Sequence, residues 1–376
     1  MREVIDAFFR ERSIVNHHIA SFNDFLDRRL QEIINSTRIG EGEGLERGYI
    51  HPEIEGYKVK LGRIRVGRPM AREANGEEHL ITPMEARLRD LTYEAPVYLE
   101  FIPVINGKIR EDLAEEARIG HIPIMVKSKK CNISREVLEE EAGRKLSDEE
   151  YEKKLIELQE DPLDPGGYFI INGTERVLIT LEDLASNRVL TEKTNRYGYE
   201  IETAQVFSQR EGFRSLIVVE KRKDGILMTT LPNVASPIPL VIILKALGLD
   251  NQTIFDNMAS YPETEVFVLA NIETCEEEYG VRTEEEAIDY IGKKIAGGQA
   301  KEYRRERVKE LLDRTILPHL GNETKDRIRK GIFLARMGEA VLELALGYRR
   351  EDDKDHYANK RLKLAGDLME DLFRAV

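Results

Sequence analysis

The stretch DPLDPGGYFIINGTERVLIT, Asp161 to Thr180, is the strongest local constraint in the chain. Pro162 and Pro165 cannot continue a helix, because proline lacks a backbone N–H and biases the preceding residue toward extended geometry. Gly166-Gly167 then lets the backbone reverse. The runs Tyr168 to Ile171 and Arg176 to Ile179, with Asn172-Gly173 between them, read as a β-hairpin, since Asn and Gly tolerate the positive φ of a type I′ turn. The turn must fix register there, because a one-residue slip would swap the faces of the apolar side chains. Any fold for this chain has to seat a firm stop, a reversal and a tight hairpin in succession.

The surrounding pattern is helical, then stranded, then helical again. Ser21 is placed to cap FNDFLDRRLQEII, in which Phe22, Phe25, Leu26, Leu30, Ile33 and Ile34 share one face. Gly40, Gly42, Gly44 and Gly48 make an acidic loop without a phosphate-cradling pattern. YKVKLGRIRV, TYEAPVYLEFIPVINGKI with its Asn106-Gly107 turn, and HIPIMV are strand candidates. Ser147 with Glu150 forms a capping box for a helix reaching about Glu160. Beyond Glu182 come strands near Tyr199 to Phe207 and Ser215 to Val219, and a turn at Asp224-Gly225. Helices follow Pro239: LVIILKALGL, a segment near Thr253, one capped by Thr283 with Glu286, and an apolar stripe from Ile328 to Leu346. Strands followed by segregated helices predict an α+β fold, and 376 residues suffice for two domains.

Chemistry is sparse. Cys131 and Cys275 lie far apart, and the seven His residues show no metal-ligand spacing, so no metal site is expected. No nucleophile elbow or dinucleotide fingerprint is present, and EDDKD, Glu351 to Asp355, reads as a solvated acidic loop. A net charge of −13 opposes a simple nucleic-acid binder. Local basic clusters survive at Arg63, Arg65, Arg68 and Arg72, and at Lys127, Lys129 and Lys130. No apolar run is long enough to cross a membrane, and the charged start MREVIDAFFRERS does not read as a signal peptide. A cytoplasmic chain with no catalytic constellation is the expectation.

Six segments, in order, resemble the second-largest subunit of multisubunit RNA polymerase, the bacterial β subunit, and most closely the N-terminal half of its split archaeal form. They are SFNDFL (from Ser21), EARLRDLTYEAPV (from Glu85), GHIPIMVKSKKC (from Gly120), DPGGYFIINGTERVLI (from Asp164), LPNVASPIPLVIILKALG (from Leu231) and NKRLKLAGDLMEDLF (from Asn359). The resemblance implies two mixed α/β domains: a protrusion over 1–181, a lobe over 182–360 inserted into it, and a return segment over 361–376. It implies a wall of the DNA cleft, with catalytic Mg held by the largest subunit and no cofactor in this chain. Implied partners are the largest subunit, the second half of the split subunit, the assembly-platform subunits, template DNA, and an elongation factor bridging the clamp to the lobe or protrusion. Since resembling chains continue into the fork, a truncation at Val376 is also expected. Arg63, Arg65, Arg87, Arg89, Lys127, Lys129 and Arg176 are the candidate nucleic-acid-proximal residues, and Asn172 and Gly173 the structural hairpin turn. The alternative reading is a free-standing acidic adaptor that binds only proteins.

Overall fold

The computed structural model describes residues 2–11, 13–40, 45–196 and 198–375, so Gly42 and Gly44 lie outside the described residues. The chain divides into two compact units, one made of Met1–Glu182 with Leu362–Val376, the other of Asp183–Arg361. Both mix helices with largely antiparallel sheets, which is the α+β class.

In the first unit the sheet grows from the long strand Glu94–Ile105. Tyr57–Val66 pairs antiparallel with one edge, while Lys108–Ile109 and Glu115–Pro123 pair with the other. Val97, Leu99, Ile102 and Val104 of this strand, with Phe22, Phe25, Tyr93 and Ile170, belong to the buried apolar residues of this unit. The first long helix is built differently from its sequence reading. It begins at Asn16, passes through a π-helical turn at Phe25–Arg29 and resumes as Leu30–Ser36. Ser21 is therefore interior to the helix and caps another one: its hydroxyl accepts the Gly366 N–H at 3.1 Å in the first turn of Ala365–Ala375. Arg29 also meets Asp367 at 2.5 Å, and the Phe373 ring lies edge-on to Phe25. The expected capping box at Ser147 forms, but its helix spans Asp148–Glu157. Gln159, at φ 61°, ends it before Pro162 is reached.

The second unit pairs five antiparallel strands from Val189–Arg196 to Ile238–Pro239. Helix Arg327–Leu346 packs on this sheet, and Ala204, Val206, Ile217 and Val219 are buried in the shared core. Two helices escape the periodicity reading. Pro262–Glu277 carries apolar residues on its exposed side as well as its buried one, and Lys301–Glu310, KEYRRERVKE, is too charged to show an apolar stripe. The acidic loop is not merely solvated: Asp352 accepts the Thr191 N–H and hydroxyl at 2.9 Å each, and Glu351 accepts the Lys193 N–H at 3.1 Å.

Lys330 is wholly buried, its ammonium donating to the Leu312 and Asp313 carbonyls at 3.0 and 2.6 Å. Burial pushes its pKa down to about 8, against the pull of Asp313. Above that value the folded chain releases a proton the unfolded chain still holds, so stability rises with pH from about 8 toward the unfolded lysine value. Lys330→Met removes this dependence. Urea melts between pH 7.5 and 10 should show the parent gaining on the order of 3 kcal/mol relative to the variant's own trend; parallel profiles would refute the assignment.

Candidate nucleic-acid interface

The stop and the hairpin form one hydrogen-bonded block. Phe169–Ile171 pairs with Thr174–Arg176, Arg176 opposite Phe169, around Asn172 (φ 48°) and Gly173 (φ 72°). The ladder ends at Arg176, shorter than the sequence implies; Val177 and Ile179 are 63% and 83% exposed and pair with nothing in this hairpin. The turn is seated on the end of helix Pro83–Leu88. Gly173 N–H donates to the Leu91 carbonyl at 2.9 Å, and Asn172 N–H to the Thr92 hydroxyl at 3.2 Å. In the stop, the Asp161 and Asp164 carboxylates accept the N–H groups of Leu163 and Gly166 at 2.8 and 2.9 Å, turning the chain locally.

Arg87 ties these pieces together. Its guanidinium donates to Glu160 at 3.1 Å, to Glu175 on the second hairpin strand at 2.8 Å, and to the Tyr168 hydroxyl at 2.5 Å. Tyr168 in turn donates to the Asp164 carboxylate. Burial opposes the charge of Arg87, but Tyr168, Glu175 and Glu160 outweigh it and raise its pKa. Glu160 is buried, and that burial raises its carboxyl pKa even though the Met84 N–H and Arg87 both favour the anion. Desolvation, then Asp164, pushes the Tyr168 phenol up.

The other candidate cations divide by what holds them. Lys127 joins the same block, its ammonium donating to the Asp164 carbonyl. Arg65 grips Glu116 through two bonds of 3.0 and 2.7 Å and lies 4.3 Å from the Tyr98 ring centroid. Arg89 is shared between Glu85 and Glu73, at 2.7 and 2.9 Å. Lys129 pairs with Asp27 at 2.7 Å. Arg63 and Arg176 are exposed, and their guanidinium groups have no hydrogen bond or ion pair among the described residues. Arg63 sits at the β-bulge between Leu61 and Ile64, which turns it outward while its N–H is held by Glu100 at 3.2 Å.

Sequence reasoning missed a second buried hub. The Tyr93 hydroxyl accepts the Asn132 N–H at 2.9 Å and lies 3.4 Å from the Cys131 sulfur. The Asn132 amide donates to the carbonyls of Pro69 and Ile81 at 2.8 and 2.7 Å and accepts from Arg68 at 2.9 Å. Burial drives the Tyr93 and Cys131 pKa values up, which favours the neutral form of both groups in this buried brace. Nothing local announces it, because its members converge from distant parts of the chain. Among the described residues no group of three or more His, Cys, Asp or Glu could hold a metal ion. No described helix is long and apolar enough to cross a membrane.

Residues 13–376 match the family described as RNA polymerase beta subunit. The chain is 48% identical to DNA-directed RNA polymerase subunit Rpo2N of Methanocaldococcus jannaschii, covering 100% of this chain and 71% of that protein. It is 44% identical to Rpo2N of Halobacterium salinarum over 99% of this chain and 69% of the relative. Against subunit Rpo2 of Saccharolobus solfataricus the identity is 44%, over 99% of this chain but 30% of the longer relative. Similarity of this depth over essentially the full length is not a shared motif but common descent of the whole fold, and the chain belongs to the RNA polymerase beta-subunit family.

Proposed function

We infer that this chain is a non-catalytic part of DNA-directed RNA polymerase, forming one wall of the DNA cleft and docking other subunits and factors. The observation that carries the reading is the 48% identity, over the whole of this chain and 71% of the relative, to a protein named as a subunit of that enzyme. In this reading Met1–Glu182 with Leu362–Val376 is the protrusion, and Asp183–Arg361 is the lobe. The largest subunit, the remaining half of the second-largest subunit and the assembly-platform subunits are its partners, with an elongation factor reaching the lobe or protrusion from the clamp. Catalytic Mg belongs to the largest subunit. The Arg87 block supports the role by its rigidity: a cleft wall has to hold its surface still while nucleic acid passes.

DNA is held here by charge without base reading, and Arg63 and Arg176 are the exposed candidate residues whose charged groups are not already engaged by a neighbour. In the assembled enzyme, Arg63→Ala and Arg176→Ala each weaken DNA binding to a similar degree on all sequences and reduce the salt slope by about 1. Arg65→Ala, which releases Glu116 instead, is the comparison, and a slope unchanged in the first two variants would remove them from the interface. For the function itself, the tagged chain should co-purify with the other polymerase subunits, while the isolated chain incorporates no nucleotide. Recovery without those subunits would favour the adaptor reading, and Mg-dependent synthesis by the pure chain would overturn the non-catalytic one.

A further inference from the structure

Helix Pro262–Glu277 buries one face in the core and carries an uncovered apolar patch on the other. On the inner face Val268, Ile272 and Cys275 enter the core of the second unit. Asn271 clamps that face in place: it accepts the Leu227 N–H at 2.8 Å and donates to the Gly225 carbonyl at 3.1 Å. On the outer face Val266 is 68% exposed and Leu269 55%, with exposed Ala270 beside them, the i, i+3, i+4 spacing of one helical stripe. Surface helices of soluble proteins ordinarily turn polar residues outward, so an apolar outer stripe on a firmly anchored helix calls for a cover.

The rim specifies the charge of that cover. The helix contains five glutamates and no Lys or Arg, PETEVFVLANIETCEE. Glu276 is satisfied by Lys245 at 2.9 Å. Glu263 and Glu265 lie to either side of this patch and Glu273 and Glu277 follow it along the same face; all four are exposed and form no ion pair among the described residues. On the turn beneath the helix, Arg222 is engaged by Asp224 at 3.3 Å and Lys223 lies over the Tyr199 ring at 3.8 Å. Four unneutralised carboxylates repel phosphate, which excludes nucleic acid as the occupant. They equally disfavour a second copy of this chain, since a twofold contact would set the acidic rim against itself.

We propose that the outer face of Pro262–Glu277 is a docking surface for a basic amphipathic helix of a partner protein. Apolar residues of that helix at three- and four-residue spacing cover Val266 and Leu269, and Lys or Arg on its flanks and one to two turns along meet the four glutamates. Because Asn271 fixes the receiving helix beforehand, little ordering cost falls on this side of the contact. The inference stands on this helix alone, so it can fail while the polymerase assignment holds, and the reverse.

The test uses the full chain and two labelled synthetic helical peptides with identical leucine spacing, one flanked by lysines and one by glutamates, read by fluorescence anisotropy at physiological salt. The lysine peptide should bind at least tenfold more tightly than the glutamate peptide. The variant V266S/L269S should weaken it at least tenfold with an unchanged thermal melt, and E265K/E273K should reverse the preference. Undiminished binding to V266S/L269S would mean general attraction to an acidic chain and would overturn the proposal, as would no binding at all. A photo-crosslinking residue at position 269 in the native cell should then map to a segment with apolar residues flanked by Lys or Arg. Crosslinks to nucleic acid, to a second copy or to a segment without basic residues would each refute it.

Discussion

Gly173→Ala will destabilise the first unit by about 3 kcal/mol, whereas Gly107→Ala will cost about 1 kcal/mol, although both glycines follow an asparagine in a two-residue hairpin. The backbone strain is shared: Gly173 is at φ 72° and Gly107 at φ 76°. The surroundings are not. A Cβ at Gly173 would come within 2.6 Å of the Asp90 carboxylate, 2.8 Å of the Asp90 Cα and 3.2 Å of the Arg87 carbonyl, and two of those three atoms are backbone that cannot swing aside. A Cβ at Gly107 meets nothing within 4 Å. Urea unfolding of the two variants followed by far-UV circular dichroism decides the matter. Equal losses would mean that the turn at Gly173 is not seated on the helix end as described.

Arg87→Met will cost about 3–5 kcal/mol at neutral pH, because it strands the buried Glu160 carboxylate without its cation. The Met84 N–H, at 2.6 Å, remains as a partner but cannot neutralise the charge. The loss will also depend on pH in a defined sense. Burial already raises the folded-state pKa of Glu160, and removing Arg87 raises it further. A carboxyl whose folded pKa lies above its unfolded value favours the folded state below the unfolded pKa, and that contribution disappears as pH rises through the folded pKa. The gap between parent and variant should therefore narrow as pH falls from neutral toward the ordinary carboxylate range, as Glu160 takes up a proton. Glu175→Gln, at the exposed end of the same arginine, should change stability by less than about 1 kcal/mol, because its carboxylate is 56% exposed. A pH-independent gap for Arg87→Met would rule out Glu160 as the source of the penalty.

Together these variants separate the two halves of the proposed brace. The glycine pair tests whether the hairpin is locked to the helix Pro83–Leu88, and the arginine tests whether the stop at Glu160–Asp164 is locked to both. If either link is soft, the block loses its rigidity and with it the physical support for a fixed cleft wall.

The sequence by itself determined what short-range sterics determine: the stop at Asp161 to Gly167, the Asn172-Gly173 and Asn106-Gly107 turns, the capping boxes at Ser147 and Thr283, and the α+β class. Each depends on φ preferences or hydrogen bonds reaching three or four residues, which adjacent residue types encode. The ordered motifs also carried the family, because six segments in sequence constrain ancestry without any coordinate. Only the tertiary structure decided which cations remain available. Arg65 finds Glu116 across 51 positions, Arg87 finds Glu160 across 73 and Lys129 finds Asp27 across 102, leaving Arg63 and Arg176 of the original seven. A charge looks the same in sequence whether or not it is neutralised. Its partner is chosen by the packing of strands and helices far apart in the chain, and no local preference records that choice.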